Sequence, residues 1–200
     1  MTTLHSRACA GLVIAGALIA STLAVRAGDI FDFIPAGGRT LLAKVLSTRA
    51  PEPEVRALVG GKHTRDEWVA YLRDHGKALP GVQGLKEKEL LTLADYMSFN
   101  LPLPAAKVPA NAAKANWPNL LPIDGRDMAL EYCQGCHIIT VVITQDKVKT
   151  GWLGTMHKPS HIQIKLTEPQ REALANYLIL NANIPIDDVP EELRAGGATY

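Results

Sequence analysis

Cys133-Gln134-Gly135-Cys136-His137 decides how this chain of 200 residues is read. The stretch is a C-x-x-C-H pattern, two thiols three positions apart followed at once by an imidazole. Two thiols at this spacing add to the two vinyl groups of one porphyrin, and the adjacent imidazole reaches the iron from the proximal face. The link is covalent, so the cofactor stays bound after export. The pattern implies one covalent haem c held by Cys133, Cys136 and His137.

Other uses of such a pair fit the surroundings less well. A thioredoxin-like redox pair wants a βαβ context, and the flanking sequence is helical. A zinc site wants a second ligand pair at matching spacing. The remaining cysteine, Cys9, lies in the N-terminal apolar run, so there is no disulfide framework.

That run reads as a secretory signal. His5 and Arg7 precede an apolar stretch from Ala8 to Val25, and Val25-Arg26-Ala27 gives a small-residue cleavage pattern with the cut before Gly28. The alternative is an uncleaved anchor, since a run of about 18 residues is at the lower limit for a span. The expected location is the periplasm or another exported compartment, with membrane attachment only if residues 1–27 remain. Net charge is +1, and loss of Arg7 and Arg26 with the leader leaves 19 basic and 20 acidic residues, or −1. No strongly basic field remains, which excludes nucleic acid as a partner.

Outside the leader the sequence repeats. Pro35-Ala36-Gly37-Gly38-Arg39 is answered by Pro122-Ile123-Asp124-Gly125-Arg126 at an offset of 87, and Trp68 by Trp152 at 84. Leu93-Ala94-Asp95-Tyr96-Met97 is answered by Leu174-Ala175-Asn176-Tyr177-Leu178 at 81, and Asn100 by Asn181. Two copies are too few for a solenoid, so they imply two similar small domains. The boundaries are a first domain at 28–103, a semi-rigid Pro/Ala linker at 104–117, a second domain at 118–186 and a solvated acidic tail at 187–200.

The periodicity is helical. Leu90, Leu93, Ala94 and Met97 follow i, i+3, i+4, i+7, and Leu174, Tyr177 and Leu178 do the same. Thr167 with Gln170 forms a capping box. Gly38 to Leu46 and Gly125 to Tyr132 make further short helices, while Val141-Val142-Ile143 is a β-branched run with no strand partner.

On these elements residues 118–186 resemble a small class I-type c-type cytochrome domain: a helix running into Cys133-Gln134-Gly135-Cys136-His137, the segment Trp152 to Met156, and a last helix with Ala175-Asn176-Tyr177-Leu178. The resemblance implies an all-α protein of two cytochrome c-like domains in tandem, only the second binding haem. It also implies single-electron transfer, as a carrier or as the cytochrome subunit of a periplasmic oxidoreductase, with a redox protein as partner and no catalytic residues. Methionine is the distal ligand it favours, and Met156 is the only one downstream of the motif. The interval from His137 to Met156, 19 residues, is shorter than in most class I cytochromes. His161 and His157 are the alternatives. Met156 answers Leu72, an apolar position in both copies, while His157 and His161 answer Arg73 and Lys77. A haem protein with an open distal site, acting in catalysis or gas sensing, is the second reading, and a structural subunit with an incidental haem the third. In the first copy Leu46, Arg49 and Ala50 stand where Cys133, Cys136 and His137 stand in the second, so that copy has no covalent site. Leu46 and Leu72 are expected to fill its space. His63 and His75 lie in polar stretches, which points to solvated side chains.

Overall fold

The computed structural model describes residues 29–194. The leader or anchor at 1–27 and the end of the acidic tail lie outside them. The described chain is all helical. Its first half holds α1 (Gly38–Ser47), α2 (Glu52–Gly60), α3 (Arg65–Asp74), α4 (Pro80–Gln83) and α5 (Glu87–Asn100). Its second half holds α6 (Gly125–Met128), α7 (Thr140–Ile143), α8 (Lys149–Met156), α9 (Glu168–Asn181) and α10 (Glu191–Arg194). No helix of the described residues is long and apolar enough to cross a membrane.

Helix starts recur at the offsets of the sequence repeat: α1 and α6 at 87, α3 and α8 at 84, α5 and α9 at 81. Thr167 Oγ1 accepts from Gln170 N (3.4 Å) and Gln170 Oε1 accepts from Thr167 N (2.9 Å), so the capping box opens α9 as expected. Thr64 and Glu67 do the same for α3. Valines 141 and 142 belong to one helical turn rather than a strand. Ile139 and Ile143, four apart and both buried, fix its inner face, and packing overrides the β-branched preference.

Helix α1 crosses α5, and α6 crosses α9, at close range. A Cβ on Gly38 would lie 2.1 Å from Tyr96 Cβ, and one on Gly125 would lie 2.1 Å from Tyr177 Cβ. Only glycine admits either crossing. The halves meet where α5 packs on α9. There Asn176 Nδ2 donates to Asp95 Oδ1 (2.9 Å) and Asn181 Nδ2 to Thr92 Oγ1 (3.0 Å). Burial first of all pushes the Asp95 carboxyl from its ordinary 3.8 to about 6; the Asn176 bond and the charges of Arg65 and Lys149 oppose it.

The chain before each first helix crosses to the opposite half. Ile34 is buried in the second core with Phe31 and Phe33 packed beside it, while Trp117 and Leu121 are buried in the first. Tyr177 Oη donates to Pro35 O (2.6 Å) and Tyr96 Oη to Pro122 O (2.7 Å). Arg126 donates to the carbonyls of Phe31 and Ile34, and Arg39 pairs with Asp127 at 2.7 Å.

The proline-rich stretch 104–117 packs against the first half. Leu101, Leu103, Ala112 and Trp117 belong to the first core, Glu52 accepts from Ala112 N and Ala113 N, and Arg56 donates to Pro109 O and Ala110 O. Proline leaves few backbone donors, and side chains of α2 satisfy the groups that remain. The tail departs from a solvated end in the same way. Val189 is buried and Thr140 Oγ1 donates to Leu193 O (2.7 Å), so the described part of 187–194 packs on the second half.

Gly125→Ala is expected to force α6 from α9 and to cost about 1–3 kcal/mol, the range for overpacking a tight contact; urea unfolding measures it. Asp95→Asn is expected to stabilise the protein at pH 7 by on the order of 2 kcal/mol. The sign follows from the raised carboxyl: between 3.8 and about 6 the folded chain holds a proton that the unfolded chain has lost, so stability falls as pH rises through that window. Thermal unfolding from pH 4 to 8 should show that slope in the parent and a flatter profile in the variant.

Candidate functional site

Helix α6 does not stop at Met128 but passes into a wider turn, Ala129–Cys133, closed by Gln134 N donating to Ala129 O at 3.3 Å. This i→i+5 bond is a π-type turn, a local widening common at functional sites. Beyond it, Cys136 N and His137 N both donate to Cys133 O at 3.4 Å. That turn places positions i, i+3 and i+4 on one face. Cys133, Cys136 and His137 consequently line a single cleft.

The cleft is partly open to solvent. Its other walls are Val142 from α7, Trp152, Thr155 and Met156 from α8, His161 and Ile164 from the connection to α9, and Leu174 and Leu178 from α9. Cys136 and His137 are exposed at its mouth and Cys133 is half-buried. Burial, with a smaller contribution from Cys136, pushes the Cys133 thiol up to about 11. The pair also sits at the C-terminal end of a helical run. A helix N-terminus is what lowers the thiol pKa of redox C-x-x-C pairs, so this placement disfavours that chemistry. Two thiols and an imidazole on the edge of an apolar slot fit a flat apolar macrocycle that reacts covalently with sulfur.

Of the three expected distal residues, two reach the cleft. Met156 is buried in its wall, on the same face of α8 as Trp152. His161 also lines the cleft, with its ring centroid 6.4 Å from that of His137. His157 is not among the lining residues; it is exposed and its Nε2 lies 2.9 Å from Glu168 Oε2. Trp152 Nε1 is buried without a partner, and so is Trp68 Nε1 at the matching position of the first half, so this orphan donor comes with the shared architecture.

Arg171 is the residue that sequence reasoning missed. It is only 3% exposed, and its guanidinium donates to Met156 O (2.8 Å), Ile164 O (3.0 Å) and Ile162 O (3.4 Å). It thereby ties the α8–α9 connection down on both sides of His161. The sequence carried one signal for it: its counterpart is Leu90, a buried leucine, so an arginine stands at a core position.

The matching space of the first half is filled. Leu46 and Leu72 are 1% and 0% exposed. Between Trp68 and Glu87 this half has three residues more than the second has between Trp152 and Glu168, and α4 forms there. Leu79 and Val82 from this segment are buried in the first core, and Gly81 lies against Val45 of α1. His63 and His75 are not free in solvent. Each stacks on Tyr71, with centroids 5.8 and 3.9 Å apart, and His63 meets Trp68 edge-on at 4.5 Å.

Arg171→Leu is expected to release the 157–166 segment. Hydrogen exchange of its amides should speed up, with a loss of about 2 kcal/mol of stability, the range for bonds to a charged donor. Unchanged exchange there would show that the guanidinium does not hold the loop. No protein-family model matches the chain, and neither a curated protein nor a solved structure matches it.

Proposed function

We propose that the second half is a c-type cytochrome unit carrying one haem c bound through Cys133, Cys136 and His137, and that the protein transfers single electrons outside the cytoplasm. The observation that carries this reading is the convergence of the two thiols and the imidazole on one apolar cleft whose far wall offers Met156 and His161. When bound, the haem supplies one-electron exchange between ferric and ferrous iron.

The residues of the chain divide the remaining work. Cys133 and Cys136 supply the sulfurs of the two thioether links, and His137 the proximal nitrogen. Val142, Leu174 and Leu178 keep water from the cleft interior, and burial of this kind tunes a redox centre. The first half is on this reading a cytochrome-like unit without cofactor, its space taken by Leu46, Leu72, Leu79 and Val82. Its part in function is to back α9. The apolar leader supports export, the compartment in which such attachment is made, and a redox protein of that compartment is the partner.

Two donors on the far wall favour a carrier over an open-site catalyst or gas sensor, because either one fills the last coordination position. Expression in a periplasm with haem-maturation machinery is expected to give a protein heavier by one haem, which keeps its haem through denaturing electrophoresis. Cys133→Ala with Cys136→Ala should abolish that attachment. The reduced parent should not bind CO. An unmodified mass would sink the haem reading, and avid CO binding would favour the open-site alternative.

A further inference from the structure

We infer that His161, rather than Met156, is the second axial ligand of the haem, an inference that rests on the covalent-haem reading above. The first support is a distance. An imidazole nitrogen sits about 2.0 Å from a bound metal and about 1.1 Å from its own ring centre, so two imidazoles on opposite sides of one iron have centroids about 6.2 Å apart. The rings of His137 and His161, which line the same cleft, have centroids 6.4 Å apart. Their planes differ by 47°, which rotation about each metal–nitrogen axis accommodates.

The second support is orientation. Ser160 Oγ lies 3.3 Å from His161 Nδ1. In the tautomer whose Nδ1 donates to this hydroxyl, Nε2 keeps the lone pair that a metal requires, and such a partner fixes ring orientation. Arg171 adds rigidity through the Met156, Ile162 and Ile164 carbonyls, so the segment that presents His161 is held from both ends.

The third support is the comparison of the two halves. Met156 answers Leu72, which is fully buried in a half that has no attachment residues. An apolar side chain is wanted at this position with or without a cofactor, so Met156 is accounted for as core. His161 answers Lys77, which is exposed. The inward imidazole and the arginine that braces its loop occur together, and only in the half with the cysteines. Two imidazoles also favour ferric iron more than a histidine–methionine pair does, so this ligation sets a lower potential than Met156 would.

The test is spectroscopic, on the full-length haem-loaded protein. The oxidised parent is expected to be low-spin and to lack the weak sulfur-to-iron charge-transfer band at the red edge. Met156→Leu should keep the low-spin spectrum and its indifference to CO. His161→Ala should turn high-spin, bind CO when reduced, and return to low-spin on adding imidazole, a rescue that a merely structural role would not give. A charge-transfer band in the parent, or a low-spin His161→Ala beside a high-spin Met156→Leu, would overturn the inference; the parent spectrum decides even if a variant fails to fold. Haem content by mass is read on every sample. A parent without covalent haem would refute the haem reading itself, whereas a haem-loaded, methionine-ligated parent would refute only this assignment.

Discussion

The packing of α5 on α9, with the exchange of arms across it, is the constraint on which the rest of the structure depends. Polar groups are buried there, and each finds a partner in the opposite half: Asn176 on Asp95, Asn181 on Thr92, Tyr177 on Pro35, Tyr96 on Pro122. A buried polar group without a partner costs about 1–3 kcal/mol, so a shift of either helix by one turn would be penalised several times over. Apolar faces alone would tolerate such a shift. The polar pairs hold the two halves in one arrangement, and both cores are completed only in it, because Ile34 belongs to one and Leu121 to the other.

Within that frame a repeated plan yields one cleft rather than two. From Trp152 to the start of α9 the second half is three residues shorter than the first is from Trp68 to the start of α5, and this stretch carries His161 and Ile164 along the edge of an open slot. The longer connection of the first half folds into α4 and drives Leu79 and Val82 into the core beside α1. Leu46 stands where Cys133 stands in the other half. In the first half the absence of attachment residues and the filling of the space thus go together.

Much of this was legible in the sequence, and the parts that were not share a cause. Local signals gave the helices: the Thr167–Gln170 box, the apolar spacing of α5 and α9, and the repeat offsets, each of which coincides with a helix start. The C-x-x-C-H pattern likewise brought out the three residues that line the cleft. The path of residues 104–117 was not legible because their proline content describes the chain only locally, whereas Glu52 and Arg56, more than 50 positions away, hold it in place. The crossed arms, the Arg171 brace and the approach of His161 to His137 are also tertiary facts. No window of sequence contains them, and a lone arginine or histidine in a polar stretch is ordinarily a solvated side chain.

Helix α9 links the support to the site. Arg171, Leu174 and Leu178 fall on one face and meet the cleft and its distal loop, while Asn176 and Asn181 fall on another and meet α5. The cleft therefore has one lip, the α8–α9 connection, braced from a helix that itself packs on the other half. Under the proposed electron-transfer reading such rigidity matters, since small displacements of the ligands keep the reorganisation on changing charge small. The half without attachment residues supplies it by packing alone. Its sequence can then drift at every cofactor position, provided that Gly38, Asp95 and Tyr96 still hold the crossing and that Ile34 and Pro35 still reach across it.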